Sequence, residues 1–114
     1  MAEACVISNS QKLEDGLAVS IGGEIDLIRS PQLRTELAEI LDTGLERLVI
    51  DLTAVPFMDS SGVATLIEAL QTQRRTDRKL ILCGLQSKVK SIFEISRLDM
   101  VFTITEDLNT ALEI

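Results

Sequence analysis

The sequence predicts a single α/β domain, in which a mixed β-sheet of about four to five strands opens with an antiparallel hairpin and packs with about four helices. Three observations carry this expectation. The 114 residues are 46% hydrophobic, enough for one real core and too few for a second domain. Two strand-like stretches at the start are separated only by Glu14-Asp15-Gly16, and a parallel crossover needs a dozen or more residues. Strand and helix signals then alternate to the end of the chain. The domain is expected to span residues 1–114, with no linker, internal repeat or low-complexity segment.

The first strand reads from about Cys5 to Gln11, and the second from Leu17 to Gly22, where Leu17, Val19 and Ile21 alternate with Ala18 and Ser20. A helix begins near Ser30-Pro31, with serine as its cap, proline in its first turn and Leu33, Leu37, Ile40 and Leu41 on its inner face; Gly44 ends it. Leu48-Val49-Ile50-Asp51-Leu52 is apolar nearly throughout, as a central strand covered by other elements should be. From Ser61 to about Arg75 the residues Val63, Leu66, Ile67 and Leu70 keep helical spacing. Leu80 to Cys83 is a fourth strand and about Ser87 to Ser96 a third helix. Phe102 to Ile104 reads as a short edge strand, and Asp107 to Leu112 as a terminal helix.

Composition excludes several classes of function. A net charge of −7 disfavours nucleic acid, which is bound through basic patches, and three Phe with no Trp or Tyr leave no platform for stacking bases. The absence of histidine removes a Ser-His-Asp hydrolase and the commonest zinc ligand. No glycine pattern forms a phosphate-cradling loop, so no catalytic residue, metal site or cofactor is expected. No apolar run approaches the roughly 18 residues of a membrane span, and no leader pattern is present. Cys5 and Cys83 have no metal-type spacing, which points to reduced thiols in a cytoplasmic protein.

The most informative segment is Phe57-Met58-Asp59-Ser60-Ser61-Gly62, which lies at a strand-to-helix junction. At about 100° per residue, Ser61 falls roughly 160–170° from the apolar stripe of the following helix, while Ser60 lies closer to it. Ser60 is therefore expected to cap the helix and Ser61 to face outward, sharing an exposed face with Thr65, Glu68 and Thr72. A phosphate on Ser61 would sit at a helix N-terminus, where the fold tolerates an anion, and its main effect would fall on an interface. Alone, Asp-Ser-Ser-Gly is a common helix cap. Gly22-Gly23-Glu24-Ile25-Asp26 forms a second strand-to-helix corner and brings Asp26, unpaired, toward the same region.

With these residues in hand, the chain resembles the STAS domain, specifically the small free-standing anti-sigma factor antagonists of bacteria. Val49-Ile50-Asp51-Leu52 followed by Phe57 to Gly62 is similar to that family's phosphorylation segment, and Gly23-Glu24-Ile25-Asp26 to its early loop motif. Leu80 to Gly84 and Arg97-Leu98-Asp99 through Asp107-Leu108 extend the resemblance to about residues 6–113. It implies partner switching: an anti-sigma factor that is also a serine kinase binds the antagonist, releases its sigma factor, and then phosphorylates the antagonist. The implied phosphoacceptor is Ser61. The resemblance places Asp26 near the phosphorylation site and partner interface and Asp59 and Ser60 at its immediate flank; with Ser61, Gly62 and the outward-facing Thr65 and Glu68 of the helical phase they make up the expected partner surface. ATP and magnesium would belong to the kinase, and a phosphoserine phosphatase would restore the active form. The chain departs from many relatives at Arg97, where they carry a glycine suited to a left-handed turn.

Two other readings stay open at this stage. STAS domains also serve as accessory subunits of lipid transporters and as scaffolds of stress-signalling complexes. A response-regulator receiver phosphorylated on Asp51 is more distant, because its acidic magnesium cluster is replaced here by Asn9, Ser10 and Gln11 and its strand-helix-strand start by a hairpin.

Overall fold

The structure, a computed structural model, describes residues 5–114; the first four positions of the expected domain lie outside the described residues. Five strands, β1 (Ile7–Lys12), β2 (Gly16–Gly22), β3 (Arg47–Ala54), β4 (Lys79–Cys83) and β5 (Thr103–Thr105), form one sheet in the order β1-β2-β3-β4-β5. The β1–β2 pair is antiparallel and the other three pairs are parallel, which is the mixed sheet with a leading hairpin that the sequence predicts. Four helices join them: α1 (Ser30–Leu41), α2 (Ser60–Arg75), α3 (Ser87–Ile95) and α4 (Leu108–Leu112). A short 3-10 turn, Leu98–Met100, is the one element the periodicity did not reveal.

Alternation along the strands divides the core in two. Val19, Ile21, Leu48, Ile50, Leu52, Leu80 and Leu82 point to the face covered by α1, α2 and α3, where they meet Leu33, Leu37, Leu66, Leu70, Val89 and Phe93. Ala18, Val49, Ile81 and Cys83 point the other way and meet Ala111 of α4, flanked by Leu13, Leu108 and Leu112. β3 is central and buried on both faces, which explains its unbroken apolar run.

Helix α1 corrects the expectation that Ser30 is a cap. Ser30 is buried and caps nothing, because the chain has already turned: its amide donates to Asp26 O at 2.8 Å. The side chain of Asp26 closes that turn, with Oδ1 accepting from the Ile28 and Arg29 amides at 3.0 Å each. Asp26 is thus engaged by backbone donors and is not an unpaired acid.

Candidate functional site

The site forms where β2 and β3, running parallel, deliver their C-terminal ends side by side. Beyond the last ladder pair, Gly22 with Ala54, the two loops remain joined. Gly23 donates to Ala54 O at 3.0 Å, Ile25 to Phe57 O at 3.0 Å, and Asp59 to Ile25 O at 3.0 Å, giving an isolated parallel bridge between Ile25 and Met58. Both bridge side chains are fully buried. Helix α2 rests directly on them at Gly62, where an added Cβ would stand 2.6 Å from Met58 Cγ and 2.7 Å from Ile25 Cγ2. Gly62 is therefore required by close approach.

The helix cap differs from the expected one. Asp59, not Ser60, is the N-cap: its backbone is extended, and its Oδ1 accepts from the Ser61 amide at 2.9 Å and the Gly62 amide at 3.3 Å. A carboxylate competes better than a hydroxyl for these donors because it is charged and faces the positive end of the helix. The same oxygen accepts from Ser61 Oγ at 2.5 Å. The Ser61 hydroxyl bond, opposed by desolvation and aided by the Gly62, Ser61 and Leu27 amides, holds the Asp59 carboxyl below its ordinary value. Ser60, at the first helical position, is exposed; Ser61 is half-buried, with its hydroxyl fixed.

Two further expected contributors separate. Glu68 is exposed and reaches Arg34 Nε of α1 at 2.7 Å. Thr65 is buried, 2% exposed, contrary to its expected place on the outer face, and its Oγ1 donates to Ser61 O at 2.9 Å. Helix α1 covers that side of α2, and the two helices leave between them a cavity of about 230 Å³ lined by Thr65, Glu68, Arg34 and Leu37 among others.

Three exposed apolar side chains surround the corner: Leu27 at 76%, Ile28 at 85% and Phe57 at 41%. Sequence reasoning passed over Leu27 and Ile28, although an apolar pair between an Asp turn and a Pro-led helix, outside the stripe of that helix, was the available signal. It also passed over Arg29, whose Nη1 donates to Gly22 O and Glu24 O at 2.8 Å each and so ties the loop carrying Leu27 and Ile28 to the end of β2. The receiver reading loses its frame, since the chain opens with a hairpin and Asp51 Oδ1 is occupied by Thr53 N at 3.0 Å and Thr53 Oγ1 at 2.5 Å.

Comparison with known proteins bears on the family and the fold. The family model described as "STAS domain" matches residues 8–111. The Anti-sigma-B factor antagonist of Staphylococcus aureus is 27% identical over 88 residues, covering 77% of this chain and 82% of that protein. Among solved structures, an anti-sigma factor antagonist from Mycobacterium paratuberculosis superposes with a TM-score of 0.82 at 24% identity, over 92% of this chain and 89% of that one. The Bacillus cell fate determinant SpoIIAA in its phosphorylated form superposes with a TM-score of 0.70 at 18% identity, over 92% and 96%.

Proposed function

The chain belongs to the STAS domain family, and from that membership we propose that it is an anti-sigma factor antagonist working by partner switching. It binds an anti-sigma factor that is also a serine kinase, frees the sigma factor, and leaves the complex once its own Ser61 is phosphorylated. The observation that carries this reading is the Ser61 hydroxyl, held by Asp59 at the start of α2 and surrounded by exposed Leu27, Ile28 and Phe57. Apolar side chains around one polar group are what a protein interface uses for affinity, with the polar group left for recognition. The names of the relatives point the same way.

The kinase would supply ATP, magnesium and the base, because a carboxylate with a lowered pKa, as in Asp59, is a poor acceptor for the hydroxyl proton. This chain acts as substrate and performs no catalytic step. The phosphate adds a charge of about −1.5 to −2 beside the Asp59 carboxylate, and both groups compete for the same Ser61 and Gly62 amides. The fold accommodates the group at a helix N-terminus, whereas a partner packed on Leu27, Ile28 and Phe57 must desolvate it. Release by charge, with the fold unchanged, follows, and a phosphoserine phosphatase would reset the protein in the cytoplasm.

The test is incubation with anti-sigma-type serine kinases of the same genome and mapping of the product by mass spectrometry. Phosphate is expected on Ser61, with Ser61→Ala still binding and Ser61→Asp binding more weakly without unfolding. Phosphate on the more exposed Ser60, or unchanged affinity after authentic Ser61 phosphorylation, would overturn the mechanism. Co-purification with a membrane transport complex in place of a kinase would move the protein to the transporter class.

A further inference from the structure

Arg74, Arg75, Arg78 and Lys79 place four of the chain's eleven cations within six consecutive positions, in a protein of net charge −7. Among the described residues the ion pairs are Arg34–Glu68 and Arg47–Asp15, so these four stand without a carboxylate partner. The helix dipole accounts for part of the cluster, since Arg74 and Arg75 occupy the last turn of α2. It does not account for the rest. The Gln73 and Arg74 carbonyls are already taken by the amides of Thr76, Asp77 and Arg78, and Arg78 and Lys79 lie beyond the helix. The Arg74 guanidinium reaches away, donating to Val101 O at 2.8 Å.

Arg74, Arg78 and Lys79 line a cavity of about 240 Å³ with Leu70, Leu80 and Val101 in its wall, the Arg78 guanidinium lying over Gly44. Val101 is 40% exposed, and the adjoining Met100 is 81% exposed. We infer that this end of α2 is a second docking surface, fitted to a protein segment in which carboxylates flank an aliphatic side chain. The charges are spread around an apolar floor, which suits an acidic segment with an apolar anchor better than a compact anion. An anionic membrane or a polynucleotide would meet the repulsion of the whole molecule, whereas a short segment meets only the local field. The sixteen residues of α2 rise about 24 Å, so this surface and the Ser61 corner can be occupied together.

The experiment is a titration of the ¹⁵N-labelled protein with the pentapeptide Ac-Asp-Glu-Leu-Glu-Asp-NH₂, followed by amide chemical shifts at low and at physiological salt. Saturable shifts are expected at Arg74, Lys79 and Val101 and not at Ser61, weakening with salt. In Arg74→Glu/Arg78→Glu the affinity should fall about five- to tenfold, and the milder Arg74→Gln/Lys79→Gln should fall in the same direction if the first variant is poorly folded. The inference is overturned by any of four results: no saturable shift, shifts elsewhere, equal binding of Ac-Gln-Gln-Leu-Gln-Gln-NH₂, or equal response to inorganic phosphate or phosphatidylglycerol vesicles.

Discussion

Asp59 does with one oxygen what a capping residue and a positioning residue usually do separately. Its Oδ1 takes two amides of α2 and the hydroxyl of Ser61, so the start of the helix and the rotamer of Ser61 are set together. Asparagine caps helices about as well and also offers an oxygen, whereas alanine offers nothing. Asp59→Asn should therefore keep phosphate incorporation within a few-fold of the parent, and Asp59→Ala should slow it about tenfold or more, both measured as initial rates with the partner kinase. The lowered pKa gives the cap a pH signature. Its contribution is complete above the ordinary value of 3.8 and is lost as pH falls through the lower folded value, so acid unfolding of Asp59→Ala should lack that component.

At the level of elements, Arg97 occupies the left-handed region, with φ 61°, between α3 and the 3-10 turn. A side chain there costs roughly 1 kcal/mol or more that glycine avoids. Arg97→Gly should accordingly stabilise the protein by about 1 kcal/mol, read as a higher urea midpoint with unchanged slope. The resemblance marks Arg97 as a departure that puts this turn in doubt; the backbone keeps the left-handed turn with arginine in it. The helices and β2 are legible because they repeat their own periods, and β3 and β4 because they are short unbroken apolar runs, and element ends fall within two residues of those predicted. The cap and the outer face of α2 are not. The angle of Ser60 to the stripe favours it, but the carboxylate one position earlier takes the amides. Helical phase puts Thr65 outside because it registers one buried face, while α2 packs on both the sheet and α1 and buries a wider arc. Leu27 and Ile28 carry no periodic signal because no period governs a loop.

Across the whole molecule the sheet is covered unequally, by three helices on one side and by the five-residue α4 on the other. Arg47 fastens that short cover: Nη1 donates to Leu112 O at 2.9 Å and Ile114 O at 3.1 Å, and Nε pairs with Asp15 at 3.1 Å in the hairpin loop. Its side chain is 12% exposed, so Arg47→Ala should cost about 1.5–3 kcal/mol in denaturant unfolding. Beneath α4 lies Cys83, a free buried thiol whose pKa is pushed up to about 12 by burial and then by the neighbouring Asp51 and Asp107 charges. Exposed Cys5 should react with a thiol reagent at once and Cys83 only on unfolding, with faster reaction at Cys83 in Arg47→Ala. Because the folded thiol resists ionising, this site contributes its full stability below pH 9.0 and loses it progressively as pH rises toward 12. The bridge between Ile25 and Met58 has a consequence for how fast a partner is captured. Two loops locked to each other before any encounter leave little backbone entropy to surrender on docking, so association should be limited by collision and orientation, and a phosphate would be felt as a change in residence time on a surface whose shape stays the same.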